Sequence, residues 1–245
     1  MLNKTALFVP FLAAALCSLA NAAANSLESA RTAYDEGRFL EAAEMAEALG
    51  TAQGFTLANL SLVAHGYYIA DDDEKQGLYE RAMALGEKAV DLDPDDAESA
   101  LRWGHAMGRY TQTIGSLKAF RQGYAGRIRE AFEKAVSIDP DMAEAHISLG
   151  AWHVEGIKAG GFMARATLGA SNRTGANHYE RGLELDPDSK VGVYEYARGL
   201  LMLSERKNRE RAREMFVNAL EIPPANAADR LLDEKIARKI AKLDG

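Results

Sequence analysis

Prolines at the ends of helical segments divide this 245-residue chain. Three seven-residue segments resemble one another: residues 88–94 (KAVDLDP), 134–140 (KAVSIDP) and 181–187 (RGLELDP), with a weaker fourth at 218–224 (NALEIPP). Proline lacks an N–H and disfavours helical geometry in the residue before it, so a helix stops near each Asp-Pro. Polar residues follow each proline and can cap the next helix. The pattern therefore predicts tandem helices with regularly spaced turns.

The helical unit resembles the tetratricopeptide repeat family, in which two antiparallel helices form a unit of about 34 residues. Small residues stand where the first helices of such units cross their neighbours: Gly104, Gly150 and Ala197. Aromatic and small residues alternate on the second helices: Phe132 with Ala135, Tyr179 with Gly182, and Phe216 with Ala219. The resemblance implies an all-α, TPR-like solenoid of about five helix pairs. A helical stripe over residues 227–243 is expected to be a C-terminal capping helix.

Two insertions interrupt the repeat. The successive prolines are 46, 47 and 37 residues apart, so two units carry extra residues between their first and second helices. These stretches, around 109–129 and 156–178, contain no acid. They hold eight basic residues: Arg109, Lys118, Arg121, Arg127, Arg129, Lys158, Arg165 and Arg173. The pair Gly160-Gly161 predicts a loop that leaves helical geometry in the second insertion.

The first 22 residues have the pattern of a signal peptide. Lys4 precedes an apolar run over residues 6–20, and Ala20-Asn21-Ala22 supplies small residues for cleavage after Ala22, with Ala24 as the alternative. The run is shorter than the ~20 residues that span a bilayer. We therefore expect a periplasmic or otherwise exported protein whose residues 23–245 form one domain. Leu16 before Cys17 argues against lipidation.

The composition of the chain argues against several classes of function. The only cysteine lies in the expected signal peptide, which argues against disulfides and thiolate metal sites in the mature chain. A formal net charge of −7 argues against general nucleic-acid binding. The sequence has no glycine-rich phosphate loop, nucleophile elbow or HExxH motif. We expect no enzyme, cofactor or metal, and we interpret His146 and His153, seven residues apart, as packing residues.

Binding residues are expected in two places. The TPR resemblance implies that the fifth, ninth and twelfth positions of the first helices face a concave groove. We assign His65, Tyr68, His105, Tyr194 and Arg198 to it, with Arg109 beside them. These side chains are predicted to form a polar patch for an anionic group, since arginine donates in pairs to carboxylates; the alternative is an ordinary solvated groove. Within the insertions, the candidates for a partner surface are Arg121, Arg127 and Arg165.

The insertions carry a second, narrower resemblance. Together with the glycine pair, residues 104–110 (GHAMGRY) and the late capping helix, they resemble the T-component family of tripartite ATP-independent periplasmic transporters. This resemblance implies docking to a periplasmic substrate-binding protein, with an organic anion as possible cargo. Phe162 departs from it, because an acidic residue is expected after the glycine pair. The alternative function is an adaptor in envelope assembly that binds extended peptides. Apolar Phe120, Phe162 and Met163 leave self-association open.

Overall fold

The structure is a computed structural model and describes residues 26–245. The predicted signal peptide, residues 1–22, lies outside them. The described residues form helices joined by short turns, with no strand among them. The helices are α1 (26–35), α2 (Phe39–Glu47), α3 (Ala52–Tyr68), α4 (Asp72–Leu92), α5 (Ala97–Ile114), α6 (Ser116–Arg121), α7 (Tyr124–Ile138), α8 (Ala143–Leu168), α9 (Asn172–Leu185), α10 (Lys190–Glu221) and α11 (Ala227–Asp244).

Helix pairs stack into the predicted solenoid. The pairs are α1–α2, α3–α4, α5–α7, α8–α9 and the two arms of α10, which is kinked at Ser204. Side chains cap the helices at the predicted turns: Asp96 accepts from the backbone N–H of Glu98 and Ser99 at the start of α5. Ser189 caps α10 in the same way. The all-α repeat architecture inferred from the Asp-Pro pattern is confirmed.

Small residues and aromatic rings fit together between helices, as the TPR resemblance implied. A Cβ on Gly150 would lie 2.8 Å from Tyr179 Cγ, and one on Gly104 would lie 2.4 Å from Phe132 Cε1. The Tyr179 ring also stacks on Tyr196, with ring centroids 4.9 Å apart. Contacts this close require glycine and fix the spacing between neighbouring pairs.

Both insertions lengthen first helices. In the first, α5 runs on to Ile114 and is followed by α6, with glycines of positive φ at Gly115 and Gly123. In the second, the glycine pair does not open a loop. The break is confined to Gly161 (φ 52°, ψ −125°), and the helix then continues to Leu168. The predicted departure from helical geometry is therefore correct in position but is a one-residue kink, because glycine tolerates this backbone without ending the hydrogen-bonded run.

The C-terminal helix α11 covers the last pair and reaches back to the first. Leu232 and Ile236 pack in one cluster with residues of α10. Ala227 and Ala228 pack in another cluster with residues of α1 and α2. The Arg230 guanidinium donates to the Asp35 carbonyl at 3.1 Å. The capping helix thus bridges the two ends of the array. No helix within residues 26–245 is long and apolar enough to cross a membrane.

Candidate functional site: a concave groove with a basic end

A groove of about 1040 Å³ runs along the concave side, from α1 past α3, α5 and α8 to α10 and α11. Five of the predicted residues line it: Tyr68, His105, Arg109, Tyr194 and Arg198. Four do not: His65, Arg121, Arg127 and Arg165. The structure therefore brings together most of the predicted groove residues and leaves the predicted insertion arginines outside.

His65 does not line the groove, and the reason is the register of α3. In α5 the glycine that packs against the ring of the second helix is Gly104, and the next residue, His105, lines the groove. In α3 the glycine with the same contact is Gly66, so the residue that follows it, Tyr67, lines the groove in place of His65. Tyr67 was not among the residues predicted from the sequence.

His105 is held as a neutral hydrogen-bonding group at the groove floor. Its Nε2 lies 2.7 Å from Ser148 Oγ, whose hydroxyl donates to the Glu144 carbonyl at 2.8 Å. Nε2 is therefore the donor, and Nδ1 is the acceptor that faces Arg102 Nη1 at 3.4 Å. Burial lowers the pKa of His105 to about 4, with Glu144 opposing this shift. His105 consequently contributes no positive charge to the predicted anionic patch.

A partly buried ion pair between Arg102 and Glu144 lies beside this histidine. The Arg102 guanidinium donates twice to the Glu144 carboxylate, at 2.5 and 2.6 Å, and once to Glu98 at 2.7 Å. Desolvation opposes ionisation of Glu144, but Arg102 outweighs it and lowers the pKa of Glu144 to about 2. The polar groups of the groove floor are therefore mutually satisfied and rigid.

Tyr67 lies between two cations. Lys235 Nζ is 3.3 Å from the centre of its ring, and Arg109 Cζ is 3.8 Å from it. On the same face the two groups would overlap, so they lie on opposite faces of the ring. Lys235 also donates to the Tyr67 carbonyl at 3.0 Å. Cation–π contact with both faces fixes this ring and leaves neither face free.

Around Tyr67 the groove opens into a cavity of about 700 Å³ with a strongly basic lining. One acid, Glu155, lines it, against seven basic residues: Arg109, Lys158, Arg198, Lys235, Arg238, Lys239 and Lys242. We call this cavity the basic end. Arg198 is neutralised there, since it pairs with Glu155 at 3.2 Å and with Glu195. Burial and the neighbouring cations Arg109 and Arg238 lower the pKa of Lys235 to about 8.

Four of these cations come from α11 and were not among the residues predicted from the sequence. Arg238, Lys239 and Lys242 lie three, four and seven residues after Lys235, which places all four on one helix face. That spacing is a detectable signal, but it fits the solvated side of a capping helix equally well. Only the return of α11 towards α3 turns this face to the groove.

The insertions form one lip of the groove. Leu117, Phe120 and Met163 line it and remain at least half exposed. Arg121 and Arg165 are exposed beside them and make no ion pair with the described part of the chain. Arg127 lies over the rings of Trp103 and Tyr124, at 5.6 and 5.4 Å. Their predicted role as a partner surface stays a prediction.

Three histidines meet between α8 and α9. His146 Nδ1 lies 3.0 Å from His178 Nδ1, and the ring of His153 stacks on that of His178 at 5.9 Å. His146 Nε2 donates to the Pro140 carbonyl, so His178 donates to His146. Burial and the neighbouring histidine lower the pKa of His153 to about 4 and also lower the pKa of His178. No group of three metal-ligating side chains occurs within the described residues.

Stacked helix pairs whose first helices line a concave groove define a tetratricopeptide-type repeat protein. The model of one family, described as regulator of microtubule dynamics protein 1-3, matches residues 22–244, and the chain belongs to that family. Among solved structures it is similar to TTC0263, a thermophilic TPR protein of Thermus thermophilus. The TM-score is 0.64 and the identity 17%, over 90% of this chain and 98% of that one.

A second solved structure is YrrB, a TPR protein with an unusual peptide-binding site. It is 15% identical, with a TM-score of 0.43, over 89% of this chain and 90% of that one. No curated protein matches the sequence. The match to TTC0263 confirms the repeat fold. The narrower resemblance to transporter T-components stays a prediction.

Proposed function

We propose that this protein is an exported scaffold that binds a partner protein by holding an extended peptide segment in its concave groove. The observation that carries the proposal is the groove itself, about 1040 Å³ and continuous from α1 to α11. Small residues line its walls: Gly104, Gly108, Ala151 and Gly156. They leave room for the side chains of a ligand, and the satisfied polar floor needs no rearrangement to receive one.

The geometry favours binding over catalysis. Ser148, His105 and Glu144 resemble a nucleophile, base and acid in order. However, His105 Nε2 donates to Ser148 instead of accepting its proton, and His105 Nδ1 lies 3.9 Å from Glu144, beyond hydrogen-bonding distance. A histidine with a pKa of about 4 is also a weak base at neutral pH. We therefore assign these residues to the groove floor.

The family description and the sequence add support. Regulators of microtubule dynamics, as the family is described, are proteins that act on a protein assembly, which favours a binding role. For this chain, the signal-peptide pattern of residues 1–22 favours a partner in the periplasm or outside the cell. An extended segment suits such a groove because peptides are recognised along helical repeats by successive side-chain pockets.

The test is a substitution that fills the groove. A Cβ on Gly108 of α5 meets nothing within 4 Å, and Gly108 lines the groove. We expect Gly108→Leu to abolish binding in a screen of extended peptides by fluorescence anisotropy, with the melting temperature preserved. Gly126→Leu on α7 is the matched control, because its Cβ is equally free and it does not line the groove. Peptide binding that Gly108→Leu leaves intact, or no binding at all, would refute the proposal.

The insertions support a second candidate, docking of a periplasmic substrate-binding protein. Its supporting observation is the exposed lip, where Arg121 and Arg165 stand unpaired beside Leu117, Phe120 and Phe162. Replacing Arg121, Arg127 and Arg165 by Glu should then weaken docking, and added salt should weaken it in the wild type. Gly108→Leu should leave such docking unchanged, which separates the two candidates. The same lip is the expected contact if the protein self-associates.

A further inference from the structure

We propose that the basic end of the groove is a binding site for a soluble polyvalent anion of the oligophosphate class, held by Arg109, Lys235 and Lys239. The site shares Arg109 and Arg198 with the groove, whereas Lys235 and Lys239 line the basic end and not the longer groove. It stands whether or not the groove holds a peptide.

The first argument is unbalanced charge. Five of the cations that line this cavity form no ion pair with any described residue: Arg109, Lys158, Lys235, Lys239 and Lys242. The one acid of the lining, Glu155, is engaged by Arg198. In a chain whose net charge is −7, acids are available to neutralise such a cluster, yet Glu155 is the one acid in the lining of this cavity. A concave wall of unpaired cations focuses a positive potential on its interior.

The second argument is the arrangement of these cations. They come from α5, α8 and α11, so they face the cavity from different sides. A single carboxylate contacts one wall only. An oligophosphate carries several charges along its length and reaches more than one wall at once. The cavity, at about 700 Å³, has the size of a small-molecule site.

The third argument concerns Tyr67, which positions two of the cations. Lys235 and Arg109 cover both faces of its ring, at 3.3 and 3.8 Å. The ring therefore offers no free face on which a base could stack, and it presents cations to the cavity instead. Tyr67 acts as a positioning residue that keeps two cations close together in the absence of ligand.

The fourth argument is that neighbouring cations repel Lys235 while the site is empty. Lys235 is half-buried and faces Arg109, Arg198, Arg238 and Lys75, which together with burial depress its pKa. Phosphate oxygens that reach Lys235 and Arg109 from the cavity, one on each side of the Tyr67 ring, would offset that repulsion and accept charge-assisted hydrogen bonds from both. An anion in the cavity therefore relieves a repulsion that the empty site leaves in place.

The test is isothermal titration of the full mature chain with inorganic tripolyphosphate. We expect saturable binding that weakens as salt rises. Lys235→Met and Lys239→Met should each weaken binding by roughly tenfold, the loss of one charge-assisted contact. Lys207→Met is the matched control, an exposed lysine outside the cavity. Glu155→Gln should tighten binding, because it removes the one acid of the cavity lining and leaves Arg198 with a single acidic partner, Glu195.

Three outcomes would overturn the inference. They are no binding of tripolyphosphate to the wild type, equal losses in Lys207→Met and Lys235→Met, and binding confined to acidic peptides or to vesicles of anionic lipid. The inference and the proposed function fail separately. If the protein binds tripolyphosphate but no peptide, only the scaffold proposal fails. If it binds peptides, Gly108→Leu blocks that binding, and tripolyphosphate does not bind, only the anion-site proposal fails.

Discussion

The ammonium group of Lys190 is buried at the start of α10 and forms an ion pair with Asp233 of α11. This pair ties the returning helix to the last repeat. Removing one partner of a buried pair leaves the other charge desolvated and costs about 3–5 kcal/mol. We expect Asp233→Ala to lower the free energy of unfolding by about that amount in urea denaturation.

The double variant Lys190→Met/Asp233→Leu is the control for that experiment. Apolar replacements leave no uncompensated charge, so most of the stability should return. A double variant as unstable as Asp233→Ala would mean that the loss comes from disturbed packing of α11 and not from the unpaired lysine.

Gly150→Ala should destabilise the protein although alanine is the better helix former. Its new Cβ would lie 2.8 Å from Tyr179 Cγ, and Tyr179 cannot retreat because Gly199 approaches it equally closely from another helix. Overpacking of this kind costs about 1–3 kcal/mol. Gly126→Ala, with open space around the new Cβ, should instead stabilise by up to about 1 kcal/mol. Chemical denaturation of both variants measures the two changes in the free energy of unfolding. Equal changes would show that the Tyr179 contact does not constrain the helix.

Acid should destabilise the fold through its buried histidines. The pKa of both His105 and His153 is lowered to about 4, against about 6.5 in the unfolded chain. The unfolded state therefore binds more protons between these values. Stability is complete above pH 6.5 and falls as the pH drops towards 4, by roughly 2–3 kcal/mol for each histidine. Urea denaturation across this range should show the fall, and His153→Asn should reduce its slope. An unchanged slope would show that protonation of His153 does not cause the loss of stability in acid.

Lys235→Met should stabilise the empty protein while it weakens anion binding. The pKa of Lys235 is about 8, below its unfolded value of 10.5, because burial and neighbouring cations disfavour the charge. At pH 7 the wild type bears that cost, on the order of 1 kcal/mol after solvent screening. Between pH 8 and 10.5 the unfolded wild type binds more protons, so its stability rises there and the advantage of the variant shrinks. Thermal melts at pH 7 and 10 measure this difference. A variant that melts lower at pH 7 would contradict the strain assigned to Lys235.

The sequence predicted the fold well because its signals are local. Asp-Pro turns and the caps that follow them act within a few residues, and glycines such as Gly104 and Gly150 recur at one repeat position. The sequence predicted the position of the kink at Gly161 but not how short it is. A glycine pair permits many backbone geometries, and packing in the folded protein selects one of them.

The site was predicted only in part because it depends on long-range placement. Arg109, Tyr194 and Arg198 follow from repeat positions and line the groove as expected. His65 was predicted in place of Tyr67 because the register of α3 is set by the packing of Gly66 against Tyr79, a contact that no local pattern indicates. Lys235 lies 168 residues from Tyr67 in sequence, and no local pattern indicates that they meet.

The return of α11 to the first helix pair determines when, during synthesis, the protein becomes able to bind its ligands. A simple repeat array gains a usable surface with each unit that leaves the ribosome. Here Ala227 and Ala228 join the core of the first pair, and Lys235 completes the basic end, so both wait for a segment synthesised after every repeat. A chain still being made or translocated would therefore present an unfinished site to its ligands.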